Sequence, residues 1–218
     1  DRVGRRANRA PGDGVTMVEP PIAVTDGAWR YATVCFLVAL VASVVAFPVA
    51  PLALATGIAV LWFHRDPSRQ PPATGIVAPA DGRVSVIREE GDRVRVGVFM
   101  NVTDVHVNRA PAGGTVQSVE HRPGANKPAF SKDSDRNERV RIELEEHTVV
   151  LIAGWFARRI HPTVEAGDEL RRGQRIGHIS FGSRADVGLP PGYEIDDIRV
   201  ATGDAVRAGE TGLVKDAE

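Results

Sequence analysis

"VEAGDELRRGQRIG", residues 164–177, occurs a second time with most side chains changed, as "VATGDAVRAGETGL", residues 200–213. The shared frame is V-x-x-G-D-x-[LV]-x-x-G, in which Gly-Asp marks a tight turn and the aliphatic residues mark short strands. Upstream, "APADGRVSVI" (78–87) and "APAGGTVQSV" (110–119) share A-P-A-x-G-x-V: a proline turn, a glycine for tight geometry, then a strand. From Ile76 onward, Val/Ile-rich runs are punctuated by glycine roughly every 8–12 residues, which predicts an all-β domain of short strands. The A-P-A copies differ at one informative place, with Asp81 in the first turn where the second has Gly113. A carboxylate there either caps its own backbone or is a placed acid.

The V-x-x-G-D repeat resembles the hammerhead hairpins of lipoyl/biotinyl-like domains, in which quasi-symmetric hairpins wrap around one core. The expected fold is therefore mainly β: a barrel-sandwich-hybrid-like domain with quasi-repeated hammerhead hairpins over residues 76–218, preceded by an N-terminal transmembrane helical hairpin. The hairpin reading rests on residues 31–63, "YATVCFLVALVASVVAFPVAPLALATGIAVLWF", 33 residues without a charge. That run is too long for a core helix of a small domain. Pro48 and Pro51 divide it into two apolar halves, each slightly short of a full span, with a turn expected at "PVAP". Arg30 precedes the run, Arg65 and Arg69 follow it, and the turn carries no charge. The positive-inside rule then puts both ends, and the β-domain, in the cytoplasm. Residues 64–75, "HRDPSRQPPATG", read as a Pro-rich linker. Residues 1–30 are expected as a disordered N-terminal segment, in which "MVEPP" from Met17 looks like a natural start.

Formal net charge is −1, so no global field draws the chain to nucleic acid. The single cysteine, Cys35, excludes an internal disulfide and a thiolate metal site. His106, His121, His147, His161 and His178 lack familiar zinc spacing, so no metal is expected.

Three stretches carry candidate chemistry. "FMNVTDVHVNRAP" (99–111) alternates as a half-buried strand, with His106 and Asn108 on one face. His106 can exchange a proton near neutral pH and is the natural general acid/base. The long polar segment "RPGANKPAFSKDSDRNERV" (122–140) offers Lys132, Asn137 and Arg139 to an anionic substrate. "IGHISFGSRADVGLP" (176–190) interrupts an apolar strand at Gly182-Ser183 and resumes at once. Either this is a bulge or tight turn, or the peptide bond is itself the functional group.

"APADGRV", "FMNVTDVHVNRAP", "FSKDSDRNERV", "IAGWFARRI" and "RIGHISFGSRADVGLP" occur in this order. Together they resemble the short-form phosphatidylserine decarboxylases of bacteria and archaea, pyruvoyl enzymes made by self-cleavage; the likeness covers about residues 60–190. The chain departs from the pattern at Asn101-Val102-Thr103, at Gly188 and modestly in "FSKDSDRNER". The resemblance implies cleavage between Gly182 and Ser183, giving a β-chain and an α-chain from one precursor. The implied cofactor is a covalent pyruvoyl group derived from Ser183, whose carbonyl takes up the substrate amine as a Schiff base and serves as an electron sink. Asp81, His106 and Ser183 are the implied triad, with Asp81 orienting the imidazole and His106 taking the hydroxyl proton. Arg109 stands where longer relatives have a second histidine, and joins the candidate substrate contacts. The implied substrate is a serine phospholipid, phosphatidylserine or archaetidylserine, met by an enzyme anchored in the cell membrane; a homo-oligomer is compatible with the sequence. The competing reading is a non-enzymatic, membrane-anchored hammerhead adaptor. It accounts for the repeats and the anchor but not for His106, Asp81 and the polar loop. It also lacks a heptad hairpin, and a carrier would need a lysine at a hairpin tip.

Overall fold

The computed structural model describes residues 24–25, 27–45, 49–124, 137–154, 160–179 and 183–215. Two helices, α1 (Ala28–Val45) and α2 (Ala50–Phe63), precede a β-domain. Its strands are β1 (Gly82–Glu90), β2 (Arg93–Phe99), β3 (Val107–Arg109), β4 (Gly114–Arg122), β5 (Arg139–Leu144) and β6 (Thr148–Ile152). They continue with β7 (Ile160–Pro162), β8 (Glu169–Leu170), β9 (Arg175–Ile179), β10 (Arg184–Gly188) and β11 (Ala205–Val206). One antiparallel sheet runs β11-β1-β2-β10-β6-β5-β4-β8, and a smaller one runs β3-β9-β7.

The two sequence repeats are the two parts of one motif, present twice. The Gly82 turn pairs with β11 (Gly82↔Val206), and the Gly114 turn pairs with β8 in the same register (Gly114↔Leu170). Val84 N–H donates to Asp204 O and Val116 N–H to Asp168 O, both at 2.9 Å. Gly203 N–H returns to Val84 O and Gly167 N–H to Val116 O, both at 2.8 Å. The aspartates cap their turns alike, Asp204 taking Ala201 N–H and Asp168 taking Glu165 N–H at 2.8 Å. Each A-P-A turn thus closes on a V-x-x-G-D turn, and the large sheet reads nearly the same from either edge. In the first copy the glycine is required by packing, since a Cβ on Gly82 would sit 2.0 Å from Phe99 O, whereas at Gly114 it would only touch Leu144 at 3.7 Å.

The core is aliphatic, with Val84, Val98, Met100, Ile142, Leu151, Ile176 and Ile179 at most 1% exposed. At its centre lies β10, bonded to β2 on one side and β6 on the other. The charged "RAD" sequence survives there because the charges neutralise one another. Arg184 grips Asp186 through Nε (2.7 Å) and a terminal nitrogen (2.9 Å), while Arg95 approaches the same carboxylate at 3.5 Å. Gly97 on β2 leaves room for the pair, since a Cβ there would meet Asp186 Oδ1 at 2.6 Å.

The apolar run 31–63 contains two packed helices. Gly57 of α2 lies against the Phe36 ring of α1, where an added Cβ would come within 2.6 Å. Pro51 occupies the first turn of α2, where a missing N–H costs nothing. No helix among the described residues is long and apolar enough to cross a membrane. The 18 and 14 residues of α1 and α2 rise about 27 and 21 Å, against roughly 30 Å of bilayer hydrocarbon. Part of the expected turn at "PVAP" and most of the expected disordered segment lie outside the described residues.

Residues 64–75 are irregular but fastened to the β-domain. Asp66 pairs with Arg109 (2.7 Å) and with Arg175. Arg172 donates to the carbonyls of Pro72, Ala73 and Gly75.

Candidate active site

Ser183 is fully buried at the entrance to β10, where its carbonyl accepts Met100 N–H at 2.9 Å. Its Oγ lies 4.0 Å from Met100 Sδ. The same sulfur receives Asn108 Nδ2 at 3.7 Å, so β3 and β10 meet across one methionine. Gly182 lies outside the described residues, as does Lys132.

His106 is positioned by the turn ahead of it. Asp104 Oδ2 accepts Asn101 N–H at 2.7 Å, and Asp104 N–H donates to Asn101 O at 3.1 Å. The segment that departs from the family pattern therefore builds this turn. His106 Nδ1 lies 2.9 Å from Asp104 O. A carbonyl only accepts, so Nδ1 carries the proton and Nε2 is the basic nitrogen. The histidine's carbonyl receives Ile179 N–H at 3.3 Å, tying it to the strand that leads toward Ser183.

The His106 ring lies against Phe63, the last residue of α2, with ring centres 4.5 Å apart. Burial pushes the imidazole down to about 4 from its ordinary value; the Asp104 carbonyl and carboxylate oppose this, and Arg65 and His64 add to it. It is therefore neutral at physiological pH. A cavity at this junction is lined by Phe63, His64 and Arg65 from the end of α2, with His106, His178 and Ile179. Arg65 is held by Thr103 O at 2.6 Å and lies 4.3 Å over the Trp62 ring. His178 stacks on His161 with centres 4.7 Å apart.

Phe63→Ala is expected to let water reach His106. Because burial is what holds the imidazole down, its titration should move up from about 4 toward the ordinary histidine value. An NMR pH titration of the ring protons checks this, and an unchanged midpoint would show that α2 does not control the site.

Asp81 does not meet His106. Its carboxylate is bidentate to Arg69 (2.9 and 2.7 Å) and accepts Ala208 N–H at 2.8 Å. The expected orienting contact at Nδ1 is supplied instead by the Asp104 carbonyl, two residues from the histidine. Of the four candidate substrate contacts, Arg109 is consumed by Asp66 (2.7 Å), Pro67 O and Gly173 O (both 3.0 Å). Asn137 is buried and donates to Ala153 O at 2.8 Å. Arg139 opens β5, in register with Arg122 and Ile152. The polar side chains bordering His106 in this cavity are Arg65, His64 and His178, none of which was a candidate. Met100 and Phe63 also escaped notice as ordinary apolar residues, whereas Asn108 was visible as the neighbour of His106 on one strand face.

A buried serine at a strand junction and a neutral histidine beside a small cavity bordered by Arg65 are groups suited to proton transfer at a hydroxyl. Comparison with known proteins agrees in kind. The phosphatidylserine decarboxylase family profile matches residues 57–213. A Halobacterium salinarum protein, provisionally named archaetidylserine decarboxylase proenzyme, is 60% identical over 188 residues, covering 86% of this chain and 96% of its own. The phosphatidylserine decarboxylase proenzyme of Thermobifida fusca is 50% identical over 176 residues, covering 78% and 79%. A second provisionally named archaetidylserine decarboxylase proenzyme, from Methanococcoides burtonii, is 44% identical over 162 residues, covering 72% and 74%.

Proposed function

Because the chain belongs to the phosphatidylserine decarboxylase family, we propose that it breaks itself between Gly182 and Ser183 and then removes CO2 from a serine phospholipid. The single observation that carries this reading is the fully buried Ser183 at the head of a central strand, at the Gly-Ser junction where the apolar run is interrupted.

Maturation begins with Ser183 Oγ attacking the Gly182 carbonyl carbon, while the hydroxyl proton passes to His106 Nε2 and on to the departing nitrogen. The C–N bond breaks and an ester forms. Loss of the Ser183 α-proton then breaks the Cβ–Oγ bond and releases the Gly182 carboxylate. The remaining dehydroalanine takes up water and loses ammonia, leaving a pyruvoyl group at position 183. A serine hydroxyl is a weak nucleophile, so a neutral imidazole is the form required.

Residue 183 suits such a group. It is shielded from water, and the new chain end stays in place through Met100 N–H and the two ladders of β10. When present, the pyruvoyl carbonyl supplies an electrophile for the substrate amine and a sink for the electrons left by CO2. This chain's residues bind and exclude water around it: Phe63 covers His106, and Arg65, His64 and His178 face the phosphodiester.

The apolar faces of α1 and α2 hold this site at the bilayer. Leu37, Leu40, Val41, Leu52 and Ile58 are exposed on them, with Trp29 and Trp62 near the ends. Such a surface on a monomer marks a membrane or partner contact. With Arg30 and Arg65 beside those ends, the pair inserts with the β-domain on the cytoplasmic side. Intact mass of purified protein tests the maturation step. Two chains are expected, one ending at Gly182 and one beginning at a blocked residue 183. A single unbroken chain that decarboxylates serine lipid would overturn the reading.

A further inference from the structure

Asn108 is fully buried, and its Oδ1 has no hydrogen-bond partner among the described residues. Such an orphan is rare in folded proteins, because the lost hydration is not replaced. Nδ2 is turned to the Met100 thioether at 3.7 Å, a weak acceptor, and Ser183 Oγ shares that sulfur at 4.0 Å. The unbroken chain thus keeps a buried strong acceptor near the serine, with no donor to it among the described residues.

The acyl shift changes the donors at residue 183. As Oγ bonds to the Gly182 carbonyl carbon and the C–N bond breaks, the hydroxyl proton ends on the nitrogen. A peptide nitrogen with one hydrogen becomes an amine with two. We propose that Asn108 is a catalytic residue of self-cleavage, its Oδ1 accepting a hydrogen bond from the amine that the acyl shift frees at residue 183. This rests on the self-cleavage reading above. An amide is ordinarily favoured over its ester, so the shift needs interactions that exist only on the ester side. An oxygen left unsatisfied in the amide form and satisfied in the ester form is one. Asn108 moves no proton itself; His106 does that.

Asn108→Leu keeps the volume and removes the acceptor. Two measurements are needed. In chains with Ser183 intact, cleavage is followed by intact mass, and the ester is captured with hydroxylamine, which attacks the Gly182 carbonyl. In the uncleavable background, thermal melting compares the single variant Ser183→Ala with the double variant Ser183→Ala/Asn108→Leu. The substitution should slow cleavage about tenfold or more, and reduce hydroxylamine capture in proportion. The melting temperature should be unchanged or higher, because a buried unsatisfied oxygen is gone. Parental cleavage by Asn108→Leu would overturn the proposal, and so would slowed cleavage accompanied by a lower melting temperature, which assigns Asn108 to packing. A parent that never cleaves would instead reject the self-cleavage reading on which the proposal stands.

Discussion

Ser183→Ala protein is expected to be recovered as one folded chain of full length, without decarboxylase activity. The fold should survive because the hydroxyl does little for it: among the described residues its contact is the Met100 sulfur at 4.0 Å, and the loss should cost no more than about 1 kcal/mol. The backbone bond from Met100 N–H to the carbonyl of residue 183 needs no side chain. Activity, by contrast, should fall to the detection limit, because alanine cannot make the ester or the electrophilic carbonyl. The checks are intact mass, thermal melting against the parent, and CO2 release from vesicles containing phosphatidylserine or archaetidylserine. Cyanoborohydride in the presence of substrate amine should add mass to the parent's α-chain and to nothing in the variant. Decarboxylation by uncleaved Ser183→Ala would remove residue 183 from the chemistry.

His106→Ala is expected to slow self-cleavage by roughly 10²–10⁴-fold, the usual contribution of one general base, and not to abolish it. In the parent the rate should be level from about pH 6 to 8. The imidazole holds near 4, so its neutral form already predominates there. Below that value the rate should drop about tenfold per pH unit as Nε2 takes a proton. The variant should lack this acid limb. The stability linkage has a definite sign. His106 and His147 are both pushed down to about 4 by burial, and His147 further by Arg93. The unfolded chain therefore binds more protons than the folded one between about pH 6.5 and 4, and stability falls as pH is lowered through that window. Each histidine contributes a slope approaching about 1.4 kcal/mol per pH unit, and His106→Ala removes one of the two. Stopped time courses by intact mass at several pH values, with melting curves alongside, check both statements. Parental cleavage rates in His106→Ala would take the base role away from this residue.

Local chemistry in the sequence determined the β-domain's repeating units. Gly-Asp turns and A-P-A-x-G turns are set by residues next to one another, and Gly82 and Gly114 adopt φ of +143° and +148° in matching turns. The Gly-Ser break and the strand histidine that make Ser183 and His106 candidates were legible for the same reason, since both are features of residue type. What the tertiary structure alone decided is which partner each polar group meets. Asp81 was expected beside His106, yet Arg69, 12 residues upstream, fills both its oxygens, and a neighbouring carbonyl holds the imidazole instead. Arg109 looked available to an anion until Asp66, 43 residues away in sequence, occupied its guanidinium. Phe63 read as one more apolar residue at the end of a hydrophobic run, and only folding placed it on the His106 imidazole. Turns form from bonds between near neighbours, so their signals lie in short stretches of chain. Ion pairs and burial form between segments brought together by the collapse of the core, and no short stretch records which segments those will be.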